Sequence, residues 1–359
     1  MLGCVGDHGI TMTADELKQI RLFRQHLTDK ADKITVVKDL NGIQAQFTVN
    51  IFYSLKIRCN ENITEENFGD GLVKNWTVRG TVHAFAKDDL PLFKYGKARY
   101  KNSDFGGYVD HFTREWTLTP ERQKYWSAFI VDKVKEGICE REELKKACVQ
   151  SGMTQRELDS TFDQWGGGMR ELCEHGFLNY KVKEKKSFEI CPPFEPMEEN
   201  RAERKIIERY LTHFAPATIK DISYYYGCTQ TKIKQILNGI PVKTVSVNNN
   251  EHFYLGDITE NCPDIPRCIL LSGFDQLMLG YKKEDSIFLP NKYMRGIFNL
   301  AGIVMPPVLL DGKVVGRWRK KKNNITFELF ESVSEKNKRV ILDTAENIFY
   351  NIKKVEWSI

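Results

Sequence analysis

Three times along the chain, a group of short helical segments precedes a pair of β-rich runs. The first group begins at Thr13, which forms a capping-box pattern with Glu16, and apolar residues follow at helical spacing. A second helical stretch stops at the Asn41-Gly42 pair, and a third covers about 47 to 57. The sequence "NWTVRGTVHAF" then supplies two β-rich runs around Arg79-Gly80, as expected of a hairpin. Helices followed by a β-hairpin are typical of a winged helix.

The second copy of this pattern spans about 120 to 190. A helix begins at Glu121, "REELKKACVQSG" forms a second, and the capping-box pair Thr154 and Glu157 opens a third. Gly166-Gly167-Gly168 interrupts the third helix, because each interior Gly costs about 1 kcal/mol relative to Ala. A short ribbon in "FLNYKVKEKKSFEI" supplies the wing, and prolines between 192 and 196 mark a linker.

The third copy shows the pattern most clearly. "NRAERKIIERYLTHF" is an amphipathic helix, "PATIKDISYYYG" is a short helix stopped by Gly227, and "TQTKIKQILNG" is a helix that begins at Thr229. The strands "VKTVSV" and "HFYLGD" flank a turn of three asparagines.

The last part of the chain, from about Ile265, departs from this pattern. "PPVLLDGKVVGRW" has Asp311-Gly312 between two apolar runs, a strong hairpin signal, and "ITFELF" adds a strand. "KRVILDTAENIFYNI" closes the chain as an amphipathic helix. We therefore predict an α+β fold. It comprises tandem winged-helix modules at 13–118, 119–198 and 199–260, and a C-terminal β-rich cap with a basic β-hairpin at 261–359.

The length of 359 residues is too great for one compact core and indicates two to four modules. The content of 41% apolar and 28% charged side chains is typical of a folded protein. The net charge of +5 is too small to imply nucleic acid. The distribution of charge is more informative, because neither 222–250 nor 313–324 contains an acidic residue.

Nine cysteines without a C-x-x-C pair predict neither a zinc cage nor a disulfide framework. No signal-peptide or membrane-spanning pattern occurs, so we expect a cytoplasmic protein.

Two segments are candidates for contact with DNA. The helix after Thr229 exposes amide, hydroxyl and amine groups at its start: Gln230, Thr231, Lys232, Lys234 and Gln235. The run "GRWRKKKNN" at 316–324 places Arg317, Arg319, Lys320, Lys321 and Lys322 near a hairpin tip, with Trp318 available for stacking. Both segments have an ordinary alternative. A winged helix also serves as a protein-binding or architectural module, and a charge run is often a solvated face.

The most unusual local feature is "NGIQAQF", in which Gln44 and Gln46 flank Ala45 just after a helix-stopping pair. Residues two apart project about 200° from each other in a helix, but they share a face in extended chain. If Gly42 ends the helix, both amides can point the same way from a short link. A Gln-x-Gln triplet alone is a weak signal.

Several longer motifs make the chain resemble the winged-helix DNA glycosylases of the AlkZ and YcaQ family, from about Thr13 to the end. These motifs are "RQHL", "GIQAQ", "WTVRGTVH", "RYLTHFAPATIKDIS", "GFDQLMLG" and "PPVLLDGKVVGRWR". The resemblance implies that Gln44 and Gln46 are the catalytic pair. With Ala45 between two glutamines, the chain is similar to the AlkZ branch. Residues 1 to 12 match nothing, and the second module is the least similar.

The same resemblance makes the first hairpin a candidate for DNA contact, through Arg79, Thr81 and His83. These residues would bind phosphate or line the site. For His83, a buried histidine with satisfied hydrogen bonds is an equally good interpretation.

Two neutral amides suit a substrate that carries its own positive charge. A purine alkylated at N7 is cationic, so breaking its N-glycosidic bond releases a neutral base and needs no general acid. The protein must only place a water and stabilise an oxocarbenium-like sugar, for which amide oxygens suffice. The weaker catalyst would also spare normal nucleotides, whose glycosidic bonds are stronger.

We therefore expect a monofunctional DNA glycosylase that acts as a monomer on double-stranded DNA containing alkylated purines, without a metal or other cofactor. The resemblance extends this range to bulky adducts and interstrand crosslinks, with a role in DNA repair. The alternative is a non-catalytic winged-helix regulator. Regulators usually dimerise on palindromic sites, and the chain shows neither a coiled coil nor a ligand-sensing domain.

Overall fold

The computed structural model describes residues 11–94, 118–163, 167–183, 186–258 and 261–358, and these residues form a mixed α+β protein. Their contacts divide them into two compact units. The first comprises the described residues of Met1–Phe68, Ile207–Tyr225 and Thr229–Ile359, and the second those of Gly69–Ile206 and Tyr226–Cys228. The α+β prediction is thus confirmed. None of the helices in these described ranges is long and apolar enough to span a membrane.

The α-helices of the described residues largely follow the sequence predictions. They are α1 (Ala14–Arg24), α2 (Lys33–Asp39), α3 (Thr48–Arg58), α4 (Leu90–Phe93), α5 (Pro120–Lys135), α6 (Arg141–Gln150), α7 (Gln155–Thr161), α8 (Gly167–Glu174), α9 (Glu199–His213), α10 (Ile219–Tyr226), α11 (Gln230–Leu237), α12 (Gln276–Leu279), α13 (Met294–Ile297) and α14 (Glu335–Ile348).

The strands within the described ranges are mostly short. They are β1 (Thr11–Met12), β2 (Ile43–Gln44), β3 (Leu72–Trp76), β4 (Val82–Ala86), β5 (Leu178–Tyr180), β6 (Phe188–Ile190), β7 (Lys243–Val247), β8 (Asn250–Tyr254), β9 (Cys268–Leu270), β10 (Pro307–Leu310), β11 (Lys313–Lys321), β12 (Asn324–Leu329) and β13 (Lys354–Ser358).

The helix starts predicted from capping boxes are confirmed. At α1, the Thr13 N–H donates to Glu16 Oε2 at 2.7 Å, and the Glu16 N–H donates back to Thr13 Oγ1 at 3.2 Å. Thr154 and Glu157 repeat this reciprocal pair at α7, at 2.9 and 3.3 Å. Each pair satisfies two backbone donors that a helix start leaves without partners, so a short local pattern is enough to define the boundary.

Glycine interrupts the second helical group, as predicted. α7 ends at Thr161 and α8 starts at Gly167, whose φ is +68°. A Cβ on Gly167 would lie 2.2 Å from the Ser160 carbonyl oxygen, so only glycine fits this approach. Gly166 lies outside the described residues, as do 184 and 185 in the predicted wing between β5 and β6.

Local hairpins supply most of each sheet. In the second unit, hydrogen-bonded neighbours follow the order β4-β3-β5-β6, and β3 pairs with β5 through Lys74 and Tyr180. In the first unit, β7 and β8 form an antiparallel pair, and β13-β12-β11-β10-β9 form a five-stranded sheet. Two parallel pairings were not predicted, β1 with β7 and β13 with β12. The chain therefore does not close with α14, because β13 follows it.

Trp318 lies in the core of the C-terminal sheet, which corrects its assignment as a stacking residue for DNA. Its side chain is buried among apolar residues of β11, β12 and α14, and its ring lies 5.5 Å from that of Tyr53 and 4.9 Å from that of Phe349. The indole N–H donates to the Leu271 carbonyl at 2.8 Å. A tryptophan whose ring and donor are both satisfied inside the protein is not available to DNA.

A buried ion pair joins α3 to the segment before α12. Arg58 and Asp275 have side chains that are both 0% exposed, with Nη2 and Oδ1 2.7 Å apart. A second bond, from Nη1 to Oδ2 at 3.0 Å, makes the pair bidentate. The guanidinium also donates to the Gln25 carbonyl at 3.0 Å and to Ser54 Oγ at 3.1 Å. Both charged groups thus have hydrogen-bond partners, which is required when two charges are buried.

His83 orders the turn between β3 and β4 from a fully buried position. Its Nδ1 lies 3.0 Å from the Thr81 carbonyl oxygen, and its Nε2 lies 3.4 Å from Nη1 of Arg79. A carbonyl only accepts hydrogen bonds, so Nδ1 is the protonated nitrogen and Nε2 accepts from Arg79. Burial, followed by the charge of Arg79, lowers the pKa of His83 to about 3.

Replacing Arg58 with Met should lower the free energy of unfolding by about 3–5 kcal/mol, because the Asp275 carboxylate would stay buried without its partner. The control is Arg267→Met. Arg267 pairs with Asp311 at 2.6 Å, but these side chains are 57% and 54% exposed, so the loss there should stay below about 1 kcal/mol. Urea denaturation measures both. Equal losses would show that the buried pair contributes no more than a surface pair.

His83→Gln should flatten the dependence of stability on pH in acid. Below pH 6.5 the unfolded chain binds a proton at His83 that the folded chain excludes until about pH 3, so this group lowers stability as the pH falls through that window. Chemical denaturation at several pH values compares the slopes. His175→Gln, a half-buried histidine of the same unit, is the control. Parallel curves for wild type and His83→Gln would contradict the prediction.

Candidate active site

The link between α2 and α3 holds both glutamines. α2 ends through two residues in the left-handed region, Asn41 with φ of 52° and Gly42 with φ of 85°, and the Gly42 N–H donates to the Val37 carbonyl at 2.9 Å. The Asn-Gly pair therefore stops the helix, as predicted. The chain continues in extended conformation through Ile43–Gln44, and α3 begins at Thr48.

The two amides meet on one side of this link. Gln44 Nε2 donates to Gln46 Oε1 at 3.2 Å, which confirms that both side chains leave the link in the same direction. Gln44 is buried at 6% exposure, whereas Gln46 is exposed. Ala45 is fully buried, as expected for the middle residue of an extended triplet, whose side chain points to the opposite face.

This amide pair can act as a hydrogen-bond acceptor and a source of partial negative charge. The bond from Gln44 Nε2 to Gln46 Oε1 holds the two amides in a fixed relative orientation. An amide oxygen accepts hydrogen bonds at every pH but does not take up a proton as a general base would. The arrangement therefore suits the positioning of a water beside an activated bond.

The segment Ser272–Asp275 supports the start of α3 along one helical stripe. Phe47, directly before α3, has its ring 5.9 Å from that of Phe274. Further along the helix, the Asn50 side chain lies so close to Gly273 that a Cβ there would be 3.0 Å from its Oδ1. Arg58 completes the stripe through Asp275. Since Gln46 lies two residues before α3, these contacts also position the glutamine link.

Two apolar side chains next to Gln46 are exposed. Phe47 is 42% exposed and Val49 is 50% exposed. Such large apolar surfaces next to a polar loop are suited to contact with a sugar or base of DNA. They were not predicted as site residues, because apolar residues at a helix start ordinarily indicate core packing.

The hairpin candidates Arg79, Thr81 and His83 form one hydrogen-bonded cluster in the second unit. Arg79 and Thr81 are half-buried, but His83 is inaccessible. The proposed direct DNA contact of His83 is therefore not supported, and the satisfied buried histidine is the correct interpretation. Its Nε2 lies 3.4 Å from Nη1 of Arg79, so His83 contacts another candidate side chain.

The predicted DNA-contacting helix α11 exposes most of its candidate residues. Its N-cap Thr229 accepts a hydrogen bond from the Lys232 N–H at 3.2 Å. Gln230, Thr231, Lys234 and Gln235 are exposed, and Lys232 is half-buried. Ile233 and Leu237 pack inward on the opposite face.

The basic hairpin divides into paired and exposed residues. Arg317 donates to the Glu328 carboxylate at 2.7, 2.8 and 3.0 Å and to the Gly296 carbonyl oxygen at 3.0 Å, so it is held against the sheet. Lys320 is half-buried, with its amine 5.9 Å from the centre of the Phe349 ring. Arg319, Lys321 and Lys322 are exposed towards the tip, where Lys322 has a φ of 53°.

The glutamine link lies within the part of the chain that matches a known protein family. The sequence profile described as DNA glycosylase AlkZ-like matches residues 37–348, a range that contains both glutamines. A protein of Streptomyces sahachiroi named "Interstrand DNA cross-link repair glycosylase" is 23% identical over 321 residues, covering 83% of this chain and 85% of that protein. The solved structure of the Streptomyces sahachiroi DNA glycosylase AlkZ is similar in fold. Its TM-score is 0.76 at 20% identity, and the match covers 98% of this chain and 100% of that chain.

The profile match extends over most of the chain, from within α2 to the end of α14, and the fold is similar to that of the AlkZ structure. The protein therefore belongs to the AlkZ-like DNA glycosylase family.

Proposed function

We propose that this DNA glycosylase hydrolyses the N-glycosidic bond of N7-alkylated purines, with Gln44 and Gln46 positioning the attacking water. The hydrogen bond between the two amides is the observation that supports this proposal most directly, because it brings both side chains to one face of the link. The inward-facing Ala45 keeps that face free of a third side chain.

The reaction balances without a general acid. Water adds its oxygen to C1′ of the deoxyribose as the bond from C1′ to the purine nitrogen breaks. The electron pair of that bond neutralises the cationic purine, which leaves as a neutral base, and the water proton passes to solvent. The amide oxygens accept hydrogen bonds from the water and stabilise positive charge that develops on the sugar. The products are a free alkylated purine and an abasic site.

The exposure of Gln46 and Phe47 favours bulky substrates, since a large adduct can approach this side of the link. The relative from Streptomyces sahachiroi is named for interstrand crosslink repair. We extend the proposal to bulky N7 adducts and interstrand crosslinks on this basis.

We further propose that the helix and hairpin groups are winged-helix modules at 13–118, 119–198 and 199–260, followed by a C-terminal region at 261–359. The order of elements supports this division: in each module, helices precede an antiparallel pair, β3-β4, β5-β6 or β7-β8. DNA would be held by α11 and by the exposed tip of the β11-β12 hairpin. The protein would act on double-stranded DNA as a monomer in the cytoplasm.

Removal of either amide should greatly slow excision without abolishing binding. DNA containing N7-methylguanine is incubated with enzyme and then treated with alkali, which cuts at abasic sites. We expect Gln44→Ala and Gln46→Ala each to lower the single-turnover rate by about 100-fold or more, the usual cost of losing one stabilising group. Binding measured by fluorescence anisotropy should stay near the wild-type value.

The control for this experiment is Gln150→Ala, an exposed glutamine at the end of α6. It should excise at the wild-type rate. Full activity in both link variants would overturn the assigned site. DNA binding without excision by the wild type on methyl, bulky and crosslinked substrates would favour the non-catalytic regulator instead.

The hairpin tip should contribute to the salt dependence of DNA binding. Replacing Arg319, Lys321 and Lys322 together with Ala should lower the slope of log K against log salt by about 3, because each lost phosphate contact removes roughly 0.9. Anisotropy titrations at several salt concentrations measure this slope.

A triple variant with the same charge change is the control, Lys336→Ala with Lys338→Ala and Arg339→Ala on α14. It should keep the wild-type slope. If both triple variants lower the slope equally, the hairpin tip acts only through net charge and does not contact phosphates.

A further inference from the structure

Three helices end at one place in the first unit. His26, with φ of 58°, follows the C-cap of α1, Asp39 is the last residue of α2, and His213 is the last residue of α9. His26 and Asp39 lie 13 residues apart and His213 lies 174 residues beyond Asp39, so no local spacing predicted a metal site here. None of the three belongs to the glutamine link or to the DNA-contact candidates.

Their side chains converge on the Asp39 carboxylate. His26 Nε2 is 2.8 Å from Oδ2, and His213 Nε2 is 3.2 Å from Oδ1. The three ligand atoms all lie within 4.8 Å of one another. In a tetrahedral zinc site, each ligand atom lies about 2.0–2.2 Å from the ion, and two ligand atoms are therefore roughly 3.3 Å apart. Small side-chain movements would bring the three ligand atoms to this spacing. The side chains are 15%, 19% and 22% exposed, which leaves access for an ion.

Both imidazole rings are oriented by backbone carbonyls. His26 Nδ1 lies 3.3 Å from the Asp29 carbonyl oxygen, and the His213 ring also donates a hydrogen bond to the backbone of Arg24. A carbonyl partner holds the proton on that ring nitrogen and leaves the lone pair of the other for a ligand bond. Metal-binding histidines are usually held in this way.

The electrostatics of the cluster favour a cation. Asp39 carries a negative charge, and the converging helix C-termini add partial negative charge from their last carbonyls. The nearby guanidinium of Arg24 opposes this, but it is bonded to the Leu255 and Asp257 carbonyls at 3.1 and 2.7 Å.

We propose that His26, Asp39 and His213 bind a divalent transition-metal ion, with zinc as the best fit. Two imidazoles and one carboxylate are a donor set of zinc sites, whereas magnesium and calcium prefer oxygen ligands alone. Water completes the coordination. The ion links the ends of α1, α2 and α9, and α2 leads directly into the glutamine link. This proposal does not depend on the proposed glycosylase substrate or on the role of the glutamines.

The test is titration of the metal-free full-length protein with zinc chloride by calorimetry, together with thermal unfolding with zinc and with EDTA. Wild type should bind one zinc ion and unfold at a higher temperature with zinc. Asp39→Asn and His213→Ala should each lower zinc affinity by about 100-fold or more, since even loss of a group that only hydrogen-bonds to a metal ligand costs about 10–100-fold. His175→Ala, which removes a histidine outside the cluster, should bind as wild type does.

Unchanged zinc affinity in Asp39→Asn and His213→Ala would overturn the proposal, as would the absence of stoichiometric binding by wild type. If both variants fail to fold, cobalt titration of wild type decides. A visible absorption band of four- or five-coordinate cobalt supports the site, and its absence refutes it. Gln44→Ala should retain zinc binding, so the outcomes for metal and glycosylase activity are separate.

Discussion

The first unit depends on the buried pair of Arg58 and Asp275. Two charges at 0% exposure are tolerated only when their hydrogen bonds are complete, and Arg58 uses Asp275, Ser54 and the Gln25 carbonyl for this. These partners come from three different segments of the chain: the end of α1, α3 itself and the segment before α12. If any of these segments moved, a buried donor would be left without its acceptor. The pair therefore defines one arrangement of α3 relative to its surroundings.

That arrangement extends to the glutamine link through α3. Phe47 and Asn50 contact the segment that contains Asp275, and they lie on the same helical stripe as Arg58. A link held at one end by Gly42 and at the other by the start of α3 has little freedom. The proposed catalysis by the two amides would require such preorganisation, because an amide that had to reorient around the water would lose most of its electrostatic effect.

Local signals in the sequence were sufficient to predict helix starts, hairpin turns and the end of α2. Capping boxes and Asn-Gly pairs act through hydrogen bonds to the backbone within a few residues. Long-range partners were not predictable in this way. β13 pairs with β12, and β1 pairs with β7, by contacts that no local periodicity encodes. The prediction that Trp318 is exposed was wrong for a similar reason. Its position in a basic run suggested exposure, but the alternation of side chains along β11 places it on the buried face. For the site, the sequence predicted the shared direction of Gln44 and Gln46, but not the exposure of Phe47.

Burial also explains why an amide rather than a carboxylate occupies position 44. Gln44 is only 6% exposed, and the polar partner identified for its side chain is the neutral Gln46 amide. A carboxylate there would lose hydration without a cation in that bond, so its pKa would rise and it would tend to be protonated near neutral pH. A protonated acid stabilises positive charge on a sugar poorly. Under the proposed mechanism, the amide would keep an accepting oxygen at all pH values at the cost of weaker catalysis, and a substrate bond that is already activated would tolerate that weakness.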